Sequence, residues 1–176
     1  MAKKRKNLNA VRNLAVILIA LIAGGSFYLK YVWNDQPIAT GTLPDAPVQV
    51  HFIDVGQGDS TLIQAEGKNI LIDAGENNMG STVVAYLKQH QVESIDLLIG
   101  THPHSDHIGG LDDVIRAFPI ETIVMPALSG DNIPTTKTYT EVLEAVAEQG
   151  GTITPAEPGL TFTFGAGSLT ILGPVQ

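Results

Sequence analysis

Apolar and polar positions follow different patterns in the two parts of this chain. Residues 14–29 form an uncharged apolar run, whereas from Val48 onward short apolar stretches are separated by turns that contain glycine. Alternation with a period of two predicts strands over residues 48–55 and 60–65, and a third short strand over residues 69–72. The chain therefore divides into an apolar N-terminal segment and a body that begins with a β-meander.

The rest of the body mixes strands with helices. Residues 95–99 and 122–125 are almost entirely apolar, which is typical of strands buried on both faces. Two short alternating stretches around Gly165 predict a terminal hairpin over residues 161–164 and 168–172. A meander, then alternating strands and helices, then a hairpin favours a layered α/β sandwich with a mixed sheet.

Three helices are expected between these strands. Ser81 can cap the first, and Thr138 with Glu141 forms a capping box for the third. The predicted helices span residues 81–90, about 107–117, and 138–149.

The N-terminal segment predicts insertion into a membrane. Lysines and arginines precede the apolar run, and the basic flank of such a segment stays inside the cell. Residues 1–33 are therefore expected to be either a cleaved signal peptide or a retained membrane anchor, and both place the body outside the cytoplasm. The proline-containing residues 34–47 are expected to be a linker, and residues 48–176 are expected to be the globular domain.

Composition and charge narrow the chemistry of the body. The chain has no cysteine, which excludes thiolate metal sites and thiol catalysis. From Asp35 onward it has four basic residues and all 18 acidic ones, a formal charge of −14. Such a body repels polyanions, so a general nucleic-acid-binding surface is not expected.

Three of the five histidines lie within six residues, directly after the predicted strand 95–99. Pro103 favours an extended conformation at His102, so that His102 and His104 can face one metal ion. Asp106 and His107 lie at the turn into the next helix and can face a second ion. The alternative is a chance cluster on a solvated loop, which the position after a buried strand disfavours.

Imidazole and carboxylate ligands suit Zn²⁺, and in other geometries Mn²⁺ or Fe. Two such ions lower the pKa of a shared water and favour hydrolysis of an ester, an amide or a phosphodiester. Asp73 is either a turn residue or a carboxylate that orients ligand histidines through their free ring nitrogen. His51 and His90 are interpreted as structural or surface histidines.

The motif Thr-His-Pro-His-Ser-Asp-His at 101–107, with Leu-Ile-Asp-Ala-Gly at 71–75, resembles the metallo-β-lactamase superfamily. The opening Phe-Ile-Asp-Val-Gly-Gln-Gly-Asp-Ser at 52–60 is similar to that of ComEC-type competence proteins and secreted phosphorylcholine esterases. The resemblance implies an αββα sandwich of two similar halves with two metals at its edge.

The resemblance also implies roles for single residues. His102 and His104 would bind one metal, and Asp106 and His107 the other, with Asp106 also taking part in proton transfer. Asp73 would support the loop at residues 101–107, the ligand loop. Asp59 would line the site.

One departure from the family pattern changes the expectation for the whole chain. The family takes further ligands from its second half, and no histidine follows His107 here. The chain is therefore expected to hold only the first half of the site, with the second half in the same or another chain.

The leading hypothesis is an exported metal-dependent hydrolase that cleaves phosphodiester bonds through a metal-bound hydroxide. Its expected substrate is a small phosphoester or a nucleic-acid-derived compound, and its expected location is the outer face of the cell membrane or the medium. The alternative is a truncated, inactive remnant that acts as a structural or binding domain.

Overall fold

The computed structural model describes residues 48–174. The predicted signal peptide or anchor at 1–33 and the linker at 34–47 lie outside the described residues. Within 48–174, no helix has the length and apolar character needed to span a membrane.

A six-stranded mixed sheet forms the centre of the body, with its strands in sequence order from edge to edge. The strands are β1 (Val48–Phe52), β2 (Thr61–Ala65), β3 (Lys68–Ile72), β4 (Ile95–Ile99), β5 (Ile120–Pro126) and β6 (Ile153–Ala156). The first three are antiparallel, and β3 to β6 are parallel. The antiparallel hairpin β7 (Thr161–Phe164) and β8 (Gly167–Thr170) forms a second, small sheet.

Helices cover one face of the sheet and the hairpin packs on the other. The helices are α1 (Gly80–Gln89), α2 (Ser105–Ile108), α3 (Leu111–Ala117) and α4 (Lys137–Glu148), with a 3₁₀ turn at Gly130–Asn132. A large apolar core joins the helices to the sheet, and a smaller one joins the opposite face to Phe164 of the hairpin. The predicted layered α/β architecture is confirmed.

The helix boundaries differ from the predicted ones. The helix expected over 107–117 is two helices separated by Gly109 and Gly110, because other segments press against both glycines. A Cβ atom on Gly110 would lie 2.5 Å from the carbonyl oxygen of Ala74. Helix α1 begins at Gly80 and has no side-chain cap, so the assignment of Ser81 as a cap is wrong.

The expected capping box of the last helix is also wrong. Thr136 caps α4, because its side chain accepts a hydrogen bond from the Tyr139 amide. Thr138 instead donates its hydroxyl to the side-chain oxygen of Asn77. Strand β6 was not predicted, since it contains Pro155 and strands with an internal proline lie at sheet edges, where β6 is found.

Strand β1 has an unusual orientation for an edge strand. Its apolar side chains Val48, Val50 and Phe52 point outward, and Phe52 is 83% exposed. Its histidine, His51, points inward and is only 5% exposed. The usual pattern, apolar inside and polar outside, is therefore reversed in β1.

Candidate metal centre

The ligand loop follows β4 at the carboxyl edge of the parallel strands. Ile72 of β3 pairs with Ile99 of β4, so the residues that follow the two strands lie side by side. The amide of Asp73 donates to the carbonyl of Ile99 at 2.9 Å. This register brings Asp73 next to Thr101, 28 positions later in the chain.

Three side chains of the loop converge on one point. The potential ligand atoms of His102, His104 and Asp106 all lie within 4.8 Å of one another. Pro103 separates the two histidines, and their ring centroids are 4.7 Å apart. The extended backbone of His104 (φ −93°, ψ 151°) directly precedes α2 and leads to Asp106 on its first turn. The structure thus places Asp106 beside both histidines.

His107 lies at the same edge with a different environment. Its Nδ1 is 2.9 Å from Oδ2 of Asp73, and its Nε2 is 3.9 Å from Oδ2 of Asp106. Its ring centroid is 3.9 Å from that of His102. When Nδ1 donates to Asp73, the lone pair is on Nε2, which faces the carboxylate of Asp106.

Asp73 is hydrogen-bonded to two residues of the ligand loop, Thr101 and His107. It is 1% exposed, and its carboxylate accepts hydrogen bonds from the Thr101 amide at 2.8 Å and the Thr101 hydroxyl at 2.6 Å. The third bond is the one from His107. The backbone of Asp73 has φ 58°, a left-handed conformation that asparagine and aspartate tolerate better than other residues with a Cβ.

The turn at residues 56–59 supports the loop from the other side. The Asp59 amide donates to the carbonyl of Asp106 at 3.1 Å, and the Gly75 amide donates to the carbonyl of Asp59 at 2.9 Å. Gly58 has φ 118°, and a Cβ there would lie 2.0 Å from the Asp106 carbonyl oxygen. Only glycine fits beneath Asp106 at this position.

The carboxylate of Asp59 contributes less to the loop than its backbone does. It is exposed, and its Oδ2 lies 3.7 Å from Nδ1 of His107. Asp54 is a turn residue that accepts from the Gly56 amide at 3.1 Å. His51 and His90 form a separate cluster with Tyr86.

Several residues at the site were not predicted. Thr101 connects Asp73 to the loop, and its only signal was its position before His102. A groove of about 460 Å³ beside His104 and Asp106 is also lined by Gln57, Glu76, Asn77, Thr136 and Thr138. These residues come from three segments outside the loop, so no local pattern predicts their convergence.

The site has an acidic and apolar surrounding. Neither the groove beside Asp106 nor the apolar cavity of about 660 Å³ beside His102 is lined by a lysine or an arginine. Elsewhere in the described part, Lys68 pairs with Asp96, Arg116 with Asp112 and Glu148, and Lys137 with Glu141. Among the described residues, the lining of the site therefore offers no lysine or arginine to bind an anion.

The donor set fits a divalent metal ion. Imidazole nitrogens and carboxylate oxygens, clustered and partly exposed, are the ligands that zinc and related ions take. The carboxylate–histidine contact of Asp73 with His107 is of the kind that orients metal ligands. The assignment of two ligands to each of two ions stays a prediction.

Three relatives of the chain are informative. Recombination protein 2 of Haemophilus influenzae is 34% identical over 84 residues, covering 45% of this chain and 10% of that protein. The Escherichia coli protein YcaI is 34% identical over 124 residues, which cover 68% of this chain and 15% of that protein. A UPF0173 metal-dependent hydrolase of Chloroflexus aurantiacus is 32% identical over 122 residues, which cover 66% of this chain and 47% of that protein. The chain thus spans less than half the length of each.

A solved structure shares the fold. The Rm3 metallo-beta-lactamase superposes with a TM-score of 0.51 at 18% identity, over 72% of this chain and 51% of that chain. At this identity the similarity shows the fold alone. It matches the mixed α/β architecture predicted from the resemblance, over about half of the larger protein.

The family model of the metallo-beta-lactamase superfamily matches residues 53–172. This range includes the Gly58 turn, Asp73 and the ligand loop, and its extent exceeds half of the chain. The predicted resemblance is therefore confirmed, and the chain belongs to the metallo-beta-lactamase superfamily of metal-dependent hydrolases.

Proposed function

We propose that this protein hydrolyses phosphodiester bonds with the help of two divalent metal ions, Zn²⁺ in preference to Mn²⁺. The convergence of His102, His104 and Asp106 within 4.8 Å is the observation that carries the proposal. Membership of a family of metal-dependent hydrolases supports the general reaction. The phosphodiester substrate rests on the resemblance of residues 52–60 to ComEC-type proteins and on the similarity to a recombination protein.

The ligand loop supplies the proposed ligands. His102 and His104 would hold one ion, and Asp106 with Nε2 of His107 the other. When bound, the ions would lower the pKa of a water molecule and stabilise the charge that develops on the phosphoryl oxygens. Asp106 lies beside both histidines, so its carboxylate would serve as a metal ligand and could also accept a proton during the reaction.

The surrounding residues hold this arrangement. Asp73 fixes the tautomer and orientation of His107 and anchors Thr101 at the start of the loop. The Asp59 amide fixes the carbonyl of Asp106. These bonds restrict the loop before substrate binds, which lowers the reorganisation that the reaction requires.

The acidic body favours a small phosphoester as the substrate. Long nucleic acids are bound through lysine and arginine, and no such side chain lines the groove beside Asp106. A nucleic-acid-derived fragment remains within the proposal, since a single phosphodiester can be neutralised by the bound ions alone.

The proposed location is outside the cytoplasm, at the membrane surface or in the medium, and it rests on the basic and apolar pattern of residues 1–33. The proposed partner is a second half of the sandwich, in the same or another chain. Protease added to intact cells should degrade the body if the proposed location is right. Protection of the body until the cells are lysed would contradict it.

The activity is tested with bis-p-nitrophenyl phosphate in the presence of Zn²⁺ or Mn²⁺, on a complete protein that contains both this chain and the proposed second half. Release of nitrophenol is expected, and His104→Ala should abolish it, because one ligand of the first ion is lost. Asp131→Asn, in the exposed 3₁₀ turn, is the matched control and should retain full activity.

Three results would contradict the proposal. Equal activity of His104→Ala and the unchanged chain would exclude the ligand loop from the reaction. Hydrolysis of the β-lactam nitrocefin without phosphodiester cleavage would retain the metal centre and replace the substrate class. Metal binding with no hydrolysis of either compound would favour the inactive binding domain.

A further inference from the structure

A second histidine cluster lies between β1 and α1. Nδ1 of His51 is 3.0 Å from the hydroxyl of Tyr86, and the ring of His51 meets that of His90 edge-on, with centroids 4.6 Å apart. The rings of Tyr86 and His90 are 4.4 Å apart. These three side chains, the His51–Tyr86–His90 cluster, join the edge strand to the helix that covers it.

The cluster has unmet hydrogen-bonding capacity. Nε2 of His51 and Nε2 of His90 are both buried, and neither has a hydrogen-bond partner among residues 48–174. An aliphatic side chain at position 51 would fill an inward-facing site without burying an unpaired nitrogen, which costs roughly 1–3 kcal/mol. A buried polar group of this kind in a native fold calls for an explanation.

Among the described residues, no carboxylate faces the cluster. The titratable groups packed against His51 are Tyr86 and His90, both from α1 and its C-terminal end. Strand β2 contributes Leu62, which pairs with His51, and Gln64, whose amide donates to the His90 carbonyl at 3.3 Å. Within residues 48–174, no carboxylate lies within ion-pair distance of either imidazole.

We propose that the His51–Tyr86–His90 cluster is a proton-sensitive latch that holds β1 against α1. The latch is closed while His51 is neutral, because burial of a neutral ring avoids the cost of desolvating a charge. Acidification adds a proton to His51, and the resulting imidazolium is buried against the His90 ring with no carboxylate beside it among the described residues. The favoured response is release of β1 from α1, which lets water reach the charge.

The direction of the proton linkage supports this device. Burial, and then the neighbouring His90, lower the pKa of His51 below its ordinary value of 6.5. Burial raises the pKa of Tyr86, so its hydroxyl keeps its proton. Because the unfolded chain takes up the proton more readily, the stabilisation is complete above about pH 6.5 and is lost as the pH falls toward the folded-state pKa.

The position of β1 makes its release local. In the part of the chain that the structure describes, β1 is an edge strand with β2 as its single neighbour in the sheet, and its apolar side chains point outward. Its inward contacts therefore depend on His51 more than those of an ordinary edge strand would. The parallel strands β3 to β5 and helix α3 do not share the cluster and should stay closed.

Hydrogen exchange of the full chain, with chelator present to exclude metal binding, tests the latch. After correction for intrinsic exchange rates, the opening constant of β1 amides should rise roughly 5- to 25-fold between pH 7 and pH 5. Amides of β4 and α3 should change less than about 2-fold. In His51→Gln, which cannot titrate in this range, the rise in β1 should disappear.

The Tyr86→Phe variant and a proton titration of His51 test the latch independently of His51→Gln. Tyr86→Phe loses the hydroxyl contact and keeps both imidazoles, so its β1 amides should open more readily yet retain the pH dependence. A proton titration of the His51 ring in the unchanged chain needs no variant. Titration of His51 at or above pH 6.5, or the same pH dependence in His51→Gln, would overturn the latch.

Discussion

At the scale of single residues, Asp73 connects more of the site than any ligand does. Its carboxylate accepts from Thr101 twice and from His107 once, and its backbone occupies a left-handed conformation. Backbone conformations of this kind persist where surrounding contacts over-determine them. The geometry of Asp73 fits a turn residue, and its contact with His107 fits the predicted role in orienting a metal ligand, which stays a prediction.

Asp73→Asn separates the two roles. Asparagine tolerates the left-handed conformation as well as aspartate does, so the change removes the carboxylate charge with little backbone cost. We expect zinc affinity to fall roughly 10- to 100-fold, because His107 loses the group that orients it. Competition with a chromophoric chelator measures the affinity, and Asp54→Asn, in a turn that precedes the site, is the control.

An unchanged zinc affinity in Asp73→Asn would show that the contact with His107 has no effect on metal binding. Equal losses in Asp73→Asn and Asp54→Asn would indicate a general effect of charge.

At the scale of elements, the turn between β1 and β2 acts as a support for the ligand loop. It contacts the loop through backbone atoms, the Asp59 amide and the Asp106 carbonyl. The distance between these segments along the chain is large, and the contact is possible because Gly58 has no side chain. The turn therefore determines how close the loop can lie to the sheet.

Two glycines of this turn provide a matched comparison. Gly56 has φ 70°, and a Cβ atom added there would meet no atom within 4 Å, whereas Gly58 has φ 118° and the Asp106 carbonyl at 2.0 Å. Gly56→Ala should cost about 1 kcal/mol from its conformation alone. Gly58→Ala should cost about 2–4 kcal/mol, because the loop must also move.

Urea unfolding of the two variants measures the difference. Metal affinity should fall in Gly58→Ala and stay unchanged in Gly56→Ala. Similar stability and metal affinity in both would contradict the supporting role of the turn.

The elements also show how far the sequence predicts this structure. Alternation identified β1 to β3 and the terminal hairpin, and continuous apolar runs identified β4 and β5, because these side chains follow the burial pattern that the sheet imposes. The division of the predicted helix 107–117 at Gly109 and Gly110 was not predicted, because these glycines are in close contact with Asn77 and Ala74 from another segment of the chain. Contacts between distant segments have no local signal.

The candidate site shows the same limit. The spacing of the histidines predicted that His102 and His104 face one point, and the structure brings them together. Spacing paired Asp106 with His107 at a second point, whereas the first turn of α2 also brings Asp106 beside both other histidines. The groove beside Asp106 required the tertiary fold, because Asn77 and Thr138 are 61 positions apart.

At the scale of the whole molecule, two features point to surfaces that other groups cover. The sheet face opposite the helices is covered in part by the hairpin, and Val50 and Phe52 remain exposed on β1. The ligand loop lies beside an apolar cavity lined by Ile99, Leu169 and Leu172 among others. Both surfaces are available to the proposed second half. The metal centre itself can be tested on this chain alone.

The most direct measurement is zinc binding to the full chain by calorimetry, beside the double variant His102→Ala, His104→Ala. We expect saturable zinc binding by the unchanged chain. In the double variant the zinc affinity should fall by at least roughly 100-fold, because the loss of two ligands should exceed the roughly 10- to 100-fold that the loss of one ligand-orienting partner costs. Asp131→Asn should bind as the unchanged chain does. Absence of zinc binding by the unchanged chain, or equal binding by the double variant, would contradict a metal centre at this loop.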